Sequence, residues 1–263
     1  MSHSLRVIPR LDIKGPNVVK GVHLEGLRIV GDPAEMALKY YEQGADELLY
    51  MDIVASLYGR NNLLEIVEKA ARDIFIPLTV GGGVRSSEDI YRLLRAGADK
   101  VAINTGAVKN PAFIGQAAKS FGSQCIIVSI EAKRRAPGRW EALTDNGREK
   151  TGLDAYEWAL RAAELGAGEI LLTSVDQEGT HNGYDLELTA KVAQALPIPV
   201  IACGGAGSPA HVRSAAVEGK ADAVGLASIL HYCKASIAEV KNELRAAGIT
   251  IRDHENKTPL SRR

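Results

Sequence analysis

Two acidic residues, Asp12 in RLDIKG and Glu131 in SIEAKR, each follow a short apolar run that reads as a buried strand. Carboxylates carried on strand tips can divide general-acid and general-base work on a substrate held between them. Glycines supply the second kind of chemistry. Gly81-Gly82-Gly83 and Gly204-Gly205-Ala206-Gly207 each follow a β-rich run and precede a helical pattern. Backbone N–H groups at such a turn can approach an anion closely. After the next strand of each half come Asn104-Thr105 and Ala227-Ser228, small or hydroxyl-bearing residues suited to phosphate oxygens. Two such sites imply a substrate with a phosphate at each end.

The elements that would position these residues are legible as alternating patterns. Apolar runs at 6–11, 47–53, 76–80, 100–105, 125–130, 169–175, 198–203 and 222–228 are separated mostly by amphipathic stretches such as SEDIYRLLRAGA. Strand–helix alternation repeated eight times predicts an α/β fold, a (β/α)8 TIM barrel. Near-continuous apolarity in the strands fits a parallel sheet covered on both faces. An open doubly wound sheet is the alternative. In a barrel, Asp12 and Glu131 end strands 1 and 5, on opposite sides of the mouth where active sites lie.

Internal repetition sharpens this expectation. GADELLYMD (44–52) resembles GAGEILLTS (166–174) and IPLTVGGG (76–83) resembles IPVIACGG (198–205), both at an offset of 122. GADKVAINT (97–105) resembles KADAVGLAS (220–228) at 123, and Asp12 falls near Glu131 at 119. One domain is expected, built from half-barrels at about 1–122 and 123–252, with a polar tail at 253–263.

Composition excludes several classes. The 32 basic and 32 acidic residues cancel, so nothing points to nucleic acid or an anionic membrane. No run approaches the roughly 20 apolar residues of a membrane span, and MSHSLRVIPRLD lacks a leader-like apolar segment. Cys125, Cys203 and Cys233 have no metal-ligand spacing, so a reduced, cytoplasmic protein without a metal site is expected.

Along nearly its whole length the chain resembles the cyclase-subunit family of imidazole glycerol phosphate synthase, of histidine biosynthesis. The motifs carrying the likeness are LDIKGPNVVKG, LEGLRIVGDP, DELLYMDIVAS, TVGGGVR, GADKVAINT, FGSQ, GAGEILLTSVDQEGT, GYD and GGAG, with an insertion at 133–152, KRRAPGRWEALTDNGREKTG. The related half-barrel isomerase lacks that insertion. The resemblance implies that ammonia attacks the keto carbon of a bisphosphate, a phosphoribulosyl formimino aminoimidazole carboxamide ribotide. Cyclisation and elimination then release imidazole glycerol phosphate and an aminoimidazole carboxamide ribotide. It implies a glutaminase partner on the opposite barrel face, near Asp99 and Gln124, and neither metal nor redox cofactor.

Residue by residue, the resemblance assigns catalysis to Asp12 and Glu131. It assigns substrate or phosphate binding to Lys20, Asp52, Gly82, Gly83, Asn104, Thr105, Asp176, Glu178, Gly179, Gly204, Gly205, Ala227 and Ser228. Ser56 matches the strand-2 end. Arg6, Glu47, Lys100 and Glu169 begin strands 1, 2, 4 and 6, where the family has a ring of alternating charges that gates ammonia. An aliphatic barrel would avoid such residues unless they neutralise one another.

Three positions depart from the family: Glu131 and Glu178 stand where it has Asp, and Arg10 where it has Cys. Strand alternation points Arg10 into the barrel beside Asp12. The sequence suggests a compensating Arg10–Glu131 pair that would keep Glu131 ionised and weaken it as an acid. The altered acids also admit two other functions. One is a paralogue forming an amidino group on a nucleotide-linked sugar, and the other is a degenerate scaffold that only binds a glutaminase.

Overall fold

The computed structural model describes residues 4–54 and 63–252; Ser56 and the tail from Asp253 lie outside them. In chain order the strands are β1 (Arg6–Lys14), β2 (Asn17–Val22), β3 (Glu25–Gly31), β4 (Leu48–Asp52), β5 (Leu78–Gly81), β6 (Lys100–Ile103), β7 (Ile126–Ala136), β8 (Arg139–Thr144), β9 (Glu149–Asp154), β10 (Glu169–Ser174), β11 (Val200–Cys203) and β12 (Ala223–Leu226). Eight of them pair in parallel in the order β1–β4–β5–β6–β7–β10–β11–β12. Arg6 to Pro9 of β1 pair with Ala223 to Leu226 of β12 and close the ring. That closure excludes the open sheet and makes the fold a (β/α)8 barrel.

The twofold period of the strands sorts side chains between two cores. Facing the helices, Val7, Leu11 and Ile13 of β1 join Val128 and Ile130 of β7 and Ile170 and Leu172 of β10. Ile8, Leu49, Ala102, Ile127, Leu171, Ile201 and Ala223 form a second, inner apolar cluster. Residues two apart from these share the inner face. Arg6, Arg10 and Asp12 flank Ile8, Glu131 follows Ile127, and Glu169 and Thr173 flank Leu171. The strand pattern alone therefore turns the site residues inward.

Two stretches beyond the barrel strands are also sheet. Residues 14–28 continue β1 into the antiparallel hairpin β2–β3. The 133–152 insertion continues β7 into β8–β9. Both extensions follow the first strand of a half.

Finer detail follows the same repeat. Asp32 caps helix Pro33–Glu42 by accepting from the N–H groups at its second and third positions, and Asp154 does the same for helix Ala155–Glu164. Ser86 caps helix Ser87–Arg95, and Ser208 caps helix Pro209–Val217. Each pair stands 122 residues apart. The Asp99 carboxylate accepts from Leu78 N at 2.8 Å, and that of Asp222 from Val200 N at 2.9 Å. These coincidences support two half-barrel repeats within one core.

Candidate active site

Gly82 adopts φ +107°, and a Cβ there would lie 2.2 Å from the Asp52 carbonyl oxygen. Gly204 adopts φ +96°, with a Cβ position 2.7 Å from the Ser174 carbonyl oxygen. Asp52 and Ser174 are themselves 122 apart, so one strand-end contact is built twice. Only glycine fits either position without strain. Gly82→Ala is expected to lower stability by about 1–3 kcal/mol and to weaken substrate binding together. A thermal melt and a KM measurement check this, and wild-type values for both would refute the fit argument.

Each glycine turn borders a cavity at the strand C-terminal ends. The first, of about 50 Å³, is lined by Asp52, Gly82, Gly83, Asn104, Thr105 and Glu131, with Arg85 and Asn146 also reaching it. The second is narrower, about 10 Å³, and is lined by Glu178, Gly179, Gly204, Gly205, Ala227 and Ser228, with Arg10 and Cys203. Twelve of the expected binding or catalytic residues thus gather in two repeat-related cavities. Asp176 lines neither; its carboxylate accepts from Arg134 N at 2.7 Å on the rim.

A buried charge network lies beside the second cavity. Arg10 Nε donates to Asp12 Oδ1 at 2.8 Å and Arg10 Nη1 to Thr173 Oγ1 at 3.0 Å. Lys20 Nζ, carried over from β2, donates to Asp12 Oδ2 at 3.2 Å and also to Glu178. All four charged side chains are at least nine-tenths buried, and two cations face two anions. Burial would raise the Asp12 pKa, but the Arg10 and Lys20 charges outweigh it and hold Asp12 well below the usual carboxylate range. Burial likewise opposes the charge on Lys20, yet Glu178 and Asp12 keep its pKa above the ordinary value.

The expected Arg10–Glu131 pair is not formed. Arg10 does enter the barrel, but its guanidinium turns back to Asp12, two residues along the same strand face. Glu131 instead accepts from Asn104 Nδ2 at 3.1 Å and from Gly147 N of the β8–β9 turn at 2.7 Å. Burial dominates its titration. The Arg10 charge and the Gly147 N–H offset this only in part, and the pKa is pushed up to about 7. The consequence reverses the sequence expectation: Glu131 is the carboxyl that can hold a proton near neutrality, and Asp12 is the fixed carboxylate. This division is what acid–base work between two carboxyls requires.

At the other end of the barrel, Arg6, Glu47, Lys100 and Glu169 close a ring. Arg6 bonds Glu47 at 2.9 Å and also Glu169; Lys100 bonds Glu47 at 3.0 Å and Glu169 at 3.2 Å. Burial disfavours charge on Glu47, but Arg6 and Lys100 hold its pKa below the ordinary value. Each charge has two opposite neighbours, which offsets the cost of burying it. Gln124 is exposed beside this end, in the short helical turn Ser123–Cys125 just ahead of β7. Asp99 has a structural role, its bond to Leu78 N.

Sequence reasoning missed Asn146, Thr173, Cys203, His181 and the second-cavity position of Arg10. Thr173 and Cys203 were signalled by inward strand parity. Asn146 belongs to a turn, where parity gives no direction.

A closed barrel with opposed buried carboxyls and two repeat-related glycine cavities at one mouth is a (β/α)8-barrel enzyme. The chain belongs to the histidine biosynthesis protein family, whose model matches residues 6–236. It is similar to imidazole glycerol phosphate synthase subunit HisF of Legionella pneumophila, with 65% identity over 204 residues, covering 78% of this chain and 96% of that relative. Among the described residues no helix is long and apolar enough to cross a membrane, and no cluster of His, Cys, Asp or Glu could hold a metal ion.

Proposed function

We propose that the chain is the cyclase subunit of an imidazole glycerol phosphate synthase, receiving ammonia from a glutaminase partner. The observation that carries this reading is the pair of repeat-related glycine cavities on either side of Asp12 and Glu131. Each cavity takes one phosphate of the bisphosphate substrate, with backbone N–H groups and the Thr105 and Ser228 hydroxyls as ligands. Held at both ends, the substrate presents its keto carbon to the carboxyls. Ammonia adds to that carbon, and Glu131 delivers the proton needed as the carbonyl oxygen leaves as water. Asp12, already ionised, accepts protons from the added nitrogen as that nitrogen bonds the formimino carbon and closes the ring. The bond from this carbon to aminoimidazole carboxamide ribotide breaks, and a proton returns to the departing amine. Lys20 keeps Asp12 anionic and lies next to the negative charge that develops. The ring of Arg6, Glu47, Lys100 and Glu169 is the entrance for ammonia, on the face where the partner docks near Gln124.

Both cavities are intact, which favours a bisphosphate over the amidino-sugar substrate. The test uses the purified full chain with the bisphosphate ribotide. Ammonium salts at mildly alkaline pH, where free ammonia is present and part of Glu131 still holds its proton, are expected to support release of imidazole glycerol phosphate. Glutamine is expected to do so only once the glutaminase subunit is added. Soluble, folded chain that neither turns over with ammonium salts nor rescues a histidine auxotroph lacking its cyclase subunit would refute the assignment.

A further inference from the structure

The two cavities are related by the repeat, yet their hydroxyls are held in opposite senses. Thr105 and Ser228 stand 123 residues apart and line the first and second cavity respectively. Thr105 Oγ1 accepts from Asp145 N at 3.2 Å and lies 3.4 Å from Asp145 Oδ1. A carboxylate only accepts, so the Thr105 hydroxyl proton is turned toward Asp145 and away from an incoming anion.

Ser228 has the reverse arrangement. Its Oγ lies 2.9 Å from His181 Nε2, and His181 Nδ1 lies 2.7 Å from Lys234 Nζ. An ammonium only donates, so Nδ1 is the acceptor and Nε2 carries the ring proton. Ser228 therefore accepts from His181, which leaves its own proton free to point into the cavity. Burial first, and the Lys234 charge second, lower the His181 pKa, which keeps the ring neutral as this chain of donors requires. The histidine is also fixed to the glycine turn. It adopts φ 64°, and a Cβ on Gly207 would lie 2.2 Å from its carbonyl oxygen.

We infer that Lys234 and His181 are positioning residues that act through Ser228 to make the second cavity the tighter anion site. The same asymmetry, set against Asp145 at the first cavity, fixes which end of a two-phosphate substrate enters which half. A barrel with two similar half-sites otherwise binds such a molecule in both directions, and only one direction is productive. The orientation clause rests on the cyclase reading; the difference in affinity does not.

The experiment titrates inorganic phosphate into the full chain and follows backbone amide NMR signals of Gly82 and Gly83 against those of Gly204 and Gly205. The second cavity is expected to bind about tenfold more tightly, a difference of one charge-assisted donor. Lys234→Met should weaken the second cavity about tenfold and leave the first unchanged, while Asp145→Asn should tighten the first. With the bisphosphate substrate, Lys234→Met should raise KM by a larger factor than it lowers kcat. Lys234 is exposed, so its replacement should not alter the melting temperature. Equal affinities in the wild type, or an unchanged ratio in Lys234→Met, would overturn the inference while leaving the cyclase reading standing. Phosphate binding at neither cavity would overturn both.

Discussion

Glu131→Gln is expected to reduce kcat about a thousandfold, within the 10²–10⁴ range for loss of a positioned proton donor. The amide keeps the length of the side chain but carries no proton to deliver. In the wild type, kcat/KM should fall as pH rises past about 7, where Glu131 ionises. In Glu131→Gln that limb should vanish. A stability measurement gives an independent reading of the same group. Its folded-state pKa of about 7 lies above the ordinary value of 4.5. Between those values the native chain holds a proton that the unfolded chain has lost, so stability falls as pH rises through this window. The full cost, about 3 kcal/mol, is present above pH 7. Glu131→Gln should therefore gain stability relative to wild type at pH 8 compared with pH 5. An equal gap at both pH values in denaturant titrations would show that Glu131 is not desolvated as described.

Arg10→Met is expected to cost about 3–5 kcal/mol at neutral pH, the usual penalty for removing one partner of a buried ion pair. Asp12 would keep Lys20, but Lys20 is already shared with Glu178. The Asp12 pKa is depressed in the folded state, so the Arg10 contribution is present above the unfolded carboxyl value. It is lost as pH falls toward and below the ordinary carboxylate range. The deficit of Arg10→Met should thus shrink in acid. Arg10→Met combined with Asp12→Asn should recover part of the loss, since the double variant removes the anion that the single change leaves short of a partner. Additive penalties in that cycle would mean that the two side chains are not coupled, and the network reading would fail. Catalysis should drop with the single change, because the Asp12 carboxylate loses the guanidinium bond that holds it in place.

The sequence carried the barrel almost completely, because burial on both faces writes each parallel strand as an unbroken apolar run. All eight such runs hold a barrel strand. It also carried the cavities, since a turn that only glycine can make leaves a glycine in the text. The hairpins were hidden for a related reason. Gly15, Gly21 and Gly26 interrupt the apolar pattern after β1, although β2 passes through Gly21 with a bulge in its pairing to β3. The Arg10 partner was misread because parity reports only the face of a strand. Arg10, Asp12 and Glu131 all point inward, and several inward acids satisfy the same pattern. A residue two places along the same strand lies roughly 7 Å away, within reach of a long guanidinium, so the local acid won. The helix caps were legible in principle, as Asp or Ser ahead of a helical pattern, but only their spacing of 122 links them to the repeat.

Between the charged ring near Arg6 and the carboxylate of Asp12 runs about 20 Å of β1, and the barrel interior along it holds Ile8, Leu49, Ala102, Ile127, Leu171, Ile201 and Ala223. That greasy middle storey discriminates by charge. An uncharged amine slips between these walls at little cost, while its protonated form would have to shed water with only the buried Thr79 and Ser129 hydroxyls to replace it. On the proposed cyclase reading, ammonia that climbs from the lower deck would arrive above as free base, with its lone pair ready to attack.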